Sequence, residues 1–185
     1  IEAGEIKKTQ VPQEYVRSMR SSIILLGALL GRMGQGSCCY PGGCLIGARP
    51  IDLHLMALKK LGAVIREEDG IIEACAGKDG RLRGTEIVFS YPSVGATEQA
   101  LLAAVLAEGV TIIRGAAMEP EICQLCGFLN NMGAVICGAG TKNLMIQGVR
   151  SLRDSSFRVE GDRIVAGTYG AAVMAAGGGV ALKGV

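Results

Sequence analysis

The sequence predicts an α/β (α+β) fold with its helices inside and its sheets outside, and three observations predict it. Hydrophobic residues make up 49% of the 185 while aromatics are 4% and Trp is absent, so the core is built from Leu, Ile, Val, Ala and Met. "LKKLGAVI" from Leu58 and "LNNMGAVI" from Leu129 repeat one another 71 positions apart. Around both copies, small-residue helical stretches alternate with short strands that carry charge on one side.

Taken in order, "RSMRSSIILLGALLGRMG" predicts a helix and "GSCCY" a strand. A loop, "PGGCLIGARP", then leads to a second helix, "IDLHLMALKKLG", capped near Asp52. "AVIREEDGIIEACA" predicts a hairpin turning at Asp69-Gly70, and "TEIVFS" a strand leading into the next unit. The second unit repeats the scheme. Its helix begins after "YPSVGAT", its second helix is "EPEICQLCGFLNNMG", and its hairpin "AVICGAGTKNLMIQGV" turns through Gly138 to Asn143. A third unit starts near Ser156: "AGTYGAAVMAAGGGVALKGV" echoes "GATEQALLAAVLAEGVTIIRGA", with Thr97 and Thr168 again 71 apart. The expected organisation is residues 1-155 as one domain of about two units and 156-185 as the start of a further one. The echo predicts that the third helix packs against the others and completes a threefold set.

A formal charge of +2 without a polybasic segment argues against nucleic acid as a partner. No apolar run reaches the roughly 18 to 20 residues that span a bilayer, so neither a membrane helix nor a signal peptide is expected. The chain starts at Ile1 rather than Met, which points to a fragment or a processed chain. Seven irregularly spaced cysteines do not read as a disulfide framework, and a cytoplasmic location follows. An incomplete repeat array exposes apolar surface, which favours self-association.

Cys44 follows two glycines on a loop, with Arg49 five residues on; a neighbouring guanidinium lowers a thiol pKa and activates it, while the competing reading is a packed hydrophobe. Cys38, Cys39, Cys75 and Cys137 lie in strand-like apolar runs and read as packing residues. "CQLC" at Cys123 to Cys126 has the spacing of half a zinc site, yet no second pair stands at ligand spacing, so no metal is expected. His54, the one histidine, reads as a packing residue more readily than as a base. Ser93, Gly95 and the helix amides after them either bind an anion or form an ordinary N-cap.

"RSMRSS", "PGGCLIGARPIDLH", "LGA", "PSVGATE", "EPEI" and "GDRIVAGT" together resemble the UDP-N-acetylglucosamine enolpyruvyl (1-carboxyvinyl) transferases of the EPSP synthase-like superfamily, from about Val16 to Val185. The resemblance implies an inside-out α/β barrel of repeated βαβαββ units, incomplete here. It implies transfer of the enolpyruvyl group of phosphoenolpyruvate to UDP-N-acetylglucosamine with release of phosphate, the first committed step of peptidoglycan synthesis, with no cofactor. Cys44 matches the family's proton-donating cysteine, the residue that fosfomycin alkylates. Arg20 and Arg49 match arginines that hold the anionic substrates. Pro50, Ile51, Asp52 and Leu53, with Ser93, Val94 and Gly95, match the nucleotide-sugar site. Family members are longer, with two domains and the active site between them. By that comparison this chain lacks a lysine-bearing N-terminal segment and the aspartate base of the second domain, so activity of the chain alone is not expected. The alternative is a non-catalytic nucleotide-sugar binding module.

Overall fold

The computed structural model describes residues 4–42, 50–77 and 79–185, which fall into two compact units, Ile1–Ser155 and Ser156–Val185. The larger unit is mixed α/β with two open sheets. It begins with α1 (Gln13–Ser18), a 3-10 turn (Arg20–Ile23), α2 (Ile24–Met33), β1 (Gln35–Cys39), α3 (Asp52–Lys60), β2 (Val64–Glu68) and β3 (Ile71–Cys75). It continues with β4 (Glu86–Val88), α4 (Val94–Ala104), β5 (Val110–Arg114), α5 (Pro120–Asn131), β6 (Val135–Cys137) and β7 (Asn143–Gln147).

The two halves share one strand order. β4 runs parallel to β5, β5 pairs antiparallel with β7, and β7 with β6. In the first half β1 pairs antiparallel with β3, and β3 with β2. The place of β4 is taken by the segment around Gln10, which bridges Ser37 in parallel through Val11 N to Ser37 O at 2.8 Å and Ser37 N to Thr9 O at 2.9 Å. The hairpin between β2 and β3 turns at Asp69 and Gly70, both left-handed (φ 49° and 73°), the combination that matches strand twist in a two-residue turn.

Helices form the centre of this unit. α4 buries Ala96, Thr97, Gln99, Ala100, Leu101, Ala103 and Ala104, nearly its whole circumference, and packs against α2, α3 and α5. Glycine permits the closest approach: a Cβ on Gly27 would stand 2.6 Å from Gln99 O, and one on Gly31 2.9 Å from Leu102 O. The strands β5 and β7 alternate exposed and buried residues, so one sheet face lies on the core and the other is in solvent.

Two expectations are corrected. Cys75 and Cys137 are exposed, because strand alternation turns them to the outer faces beside buried Ala74 and Ile136. Asp52 does not cap α3: the cap is Ile51, with no side-chain bond, and Asp52 is in the first turn, where its negative charge favourably meets the positive end of the helix dipole. In the smaller unit α6 (Arg163–Ala176) is capped by Asp162, whose side chain accepts from Ile164 N and Val165 N, and none of its residues is fully buried. Among the described residues no helix is long and apolar enough to cross a membrane.

Candidate functional site

The segment that joins β1 to α3 is where the two halves differ most. Twelve residues, Tyr40 to Ile51, separate those elements, against five, Gly115 to Glu119, between β5 and α5. Residues 43–49 lie outside the described residues, and with them Cys44 and Arg49. Both flanks are fixed to the same short stretch of chain. On entry, Gly42 N donates to Val16 O at 3.1 Å, with its Cα so near Arg17 O that a Cβ would overlap that oxygen. On exit, Arg20 Nη2 donates to Pro50 O at 3.3 Å. Arg20 and Pro50, assigned from sequence to the same site, are thus in direct contact.

α3 starts at once after this anchor. Pro50 and Asp52 are exposed while Ile51 and Leu53 are buried, so the side chains of the latter two belong to the core. Beside it lies the start of α4. Ser93 is its N-cap: Ser93 Oγ accepts from Ala96 N at 3.4 Å, and Ser93 O accepts from Thr97 N at 3.0 Å and Thr97 Oγ1 at 2.8 Å. Thr97 Oγ1 in turn accepts from Ala117 N at 3.1 Å, tying this turn to the segment between β5 and α5. With Ala96 N engaged by the cap, the amides of Val94 and Gly95 have no intrahelical partner and form the positive end of the helix dipole.

His54 joins the two helix starts. Its Nδ1 lies 2.5 Å from Gln99 Oε1, and a Cβ on Gly95 would stand 3.0 Å from its Cε1. Burial pushes the imidazole below its ordinary pKa; the Gln99 bond opposes this, the Arg20 charge adds to it, and Asp52 opposes it. The ring is therefore neutral at neutral pH. His54 thus feels the charges of Arg20, which is bonded to Pro50, and of Asp52, and stands against Gly95 in the first turn of α4.

Sequence reasoning missed Gln99. Its signal was a polar residue in "GATEQALLAAVLA", one turn after Gly95 and so on the same helix face. The thiols of "CQLC" form no disulfide: Cys123 is half-buried, and burial, with Cys123 nearby, pushes buried Cys126 up to about 11. Among the described residues no group of three or more His, Cys, Asp or Glu is placed to hold a metal ion.

A family model described as EPSP synthase (3-phosphoshikimate 1-carboxyvinyltransferase) matches residues 1–185. A UDP-N-acetylglucosamine 1-carboxyvinyltransferase of Chlorobium luteolum is 54% identical over the whole chain, which covers 43% of that relative. UDP-N-acetylglucosamine 1-carboxyvinyltransferase 2 of Caldanaerobacter subterraneus subsp. tengcongensis is 53% identical over 91% of this chain and 40% of its own length. The chain thus spans about two fifths of the curated relatives it matches. Among solved structures, an enolpyruvyl transferase from Streptomyces tendae superposes with a TM-score of 0.63 at 24% identity, over 77% of this chain and 33% of that one. An EPSP synthase from Acinetobacter baumannii superposes with a TM-score of 0.55 at 22% identity, over 72% of this chain and 29% of that one. Both likenesses bear on the fold alone.

Proposed function

From the premise that the chain belongs to the EPSP synthase family of enolpyruvyl transferases, we propose that it carries the cysteine-loop part of a UDP-N-acetylglucosamine 1-carboxyvinyltransferase. The observation that carries this reading is the anchoring of the two flanks of the segment that holds Cys44, Gly42 to Val16 and Pro50 to Arg20. In this reading Arg20 and Arg49 neutralise the phosphates of phosphoenolpyruvate and the nucleotide sugar, and the amides after Ser93 bind the diphosphate. Pro50 to Leu53 line the nucleotide side, Ile51 and Leu53 through backbone groups.

The Cys44 thiol gives its proton to the methylene carbon of phosphoenolpyruvate, and a hydroxyl of the sugar adds to the neighbouring carbon as positive charge develops there. Loss of a methyl proton and of phosphate from that adduct restores the double bond in the enolpyruvyl ether. We infer also that the two halves belong to an inside-out α/β barrel of βαβαββ units, which the central burial of α4 and the wet outer sheet faces support. The biological setting that follows is peptidoglycan synthesis in the cytoplasm.

Because the chain spans only about two fifths of those relatives, a second reading stands beside this one: nucleotide-sugar binding without turnover. Calorimetry with UDP-N-acetylglucosamine and phosphate release with both substrates separate them. Binding that weakens about tenfold in R20A supports the site; phosphate release by this chain favours catalysis, and its absence the binding module. No binding at all refutes the site as drawn.

A further inference from the structure

The chemistry above uses neither His54 nor Gln99, yet both are buried, and a polar pair in an apolar interior is costly unless its bonds are made. Three observations concern this pair. The 2.5 Å contact between His54 Nδ1 and Gln99 Oε1 joins α3 to α4; because the amide oxygen only accepts, the ring carries its proton on Nδ1. Gln99 is fully buried and its Nε2 has no partner among the described residues, so the bond to His54 is what orients this amide. The imidazole also stands against Gly95, where a Cβ would lie 3.0 Å from Cε1 and 3.2 Å from Nε2. Gly95 lies outside the left-handed region, so the backbone itself would accept alanine there. What excludes a side chain is the ring, and the ring is held from behind by Gln99.

We propose that His54 is a positioning residue: bonded to Gln99 and seated on Gly95, its ring fixes the first turn of α4 against the first turn of α3 and so sets the spacing between Pro50–Leu53 and Ser93–Gly95. Ligand recognition enters only through the reading of those two segments as the nucleotide-sugar site. The charged groups acting on the ring are Arg20 from the 3-10 turn and Asp52 from α3; α4 presents the uncharged Gln99.

The test is a mutant cycle between His54 and Gly95, read by thermal midpoint and by UDP-N-acetylglucosamine affinity. H54A removes the ring and the bond; H54N removes the ring but keeps an N–H for Gln99, so a background that folds is available. In the otherwise unsubstituted chain, G95A lowers the midpoint and weakens binding about tenfold, because the new methyl displaces a ring that cannot retreat. In the H54A or H54N background the same change raises the midpoint, since alanine is the better helix former, and costs little affinity. Reversal of sign between backgrounds supports the proposal. An effect of G95A with the same sign and size in both overturns it. Should the unsubstituted chain not bind the nucleotide sugar, the site reading fails, and the midpoint cycle alone still decides the positioning role by the same two outcomes.

Discussion

Burial pushes the Cys38 thiol up to about 11, with Cys39 adding to the shift, and Cys126 likewise. Neither supplies thiolate near neutral pH, so both are poor nucleophiles. Cys75 and Cys137 are accessible on the outer sheet faces. In sequence, Cys44 stands between the anchored Gly42 and Pro50 and five residues before Arg49. Fosfomycin treatment followed by peptide mass mapping is therefore expected to label Cys44 ahead of Cys75 and Cys137, and to leave Cys38 and Cys126 unlabelled. Equal labelling of Cys44 and the two sheet cysteines would contradict an activated site. Residue by residue, motif resemblance named Arg20 and Pro50, which are bonded to one another, and Ser93, which is the N-cap of α4. It could not find the Gln99 bond, because a contact across 45 positions between two helices has no local signature, and His54 accordingly read as mere packing.

At the scale of elements, the approach of α2 to α4 depends on two glycines one helical turn apart. Gly27 and Gly31 each place backbone against backbone of α4, with Gly27 also against the Gln99 side chain, at 2.8 Å from Cγ for an added Cβ. Helix propensity favours alanine over glycine by about 1 kcal/mol, so an exposed glycine replaced this way would stabilise α2. Here the added methyl meets a carbonyl oxygen that belongs to a buried helix and has no rotamer through which to retreat. G27A is expected to destabilise the chain by about 1–3 kcal/mol in urea denaturation, propensity notwithstanding. A neutral or stabilising result would show that the two helices separate easily. The existence of these helices was legible from the small-residue pattern, and both hairpins from Asp69-Gly70 and the glycines after Cys137. Which strand face each cysteine occupies was not: "IEAC" and "AVIC" end in residues whose side is set by pairing register, with Cys75 opposite Val64 and Gln35, and Cys137 opposite Met145.

For the molecule as a whole, the internal repeat serves as its own control. α4 and α6 are echoes in sequence, each rich in Ala and Gly and each holding a threonine of the 71-residue period. α4 is buried almost all round; α6 buries nothing, and Ile164, Val165, Tyr169 and Met174 are exposed. Similar local sequence thus meets different burial, because burial depends on what stands opposite and not on the helix's own pattern. A 14-residue helix with two glycines and no fully buried residue has little beyond its cap and propensity to hold it, and isolated helices of about this length are marginal in water. Amide exchange should separate the two. The amides of α4 are expected to exchange only through unfolding of the larger unit, whereas those of α6 exchange within about tenfold of the unstructured rate. The contrast also fixes what stabilises each: adding denaturant below the main transition should leave α4 protection high while the helical signal of α6 has already gone. Protection in α6 equal to that of α4 would mean that something covers its apolar residues in solution, and the picture of a helix carried without a core would have to be given up.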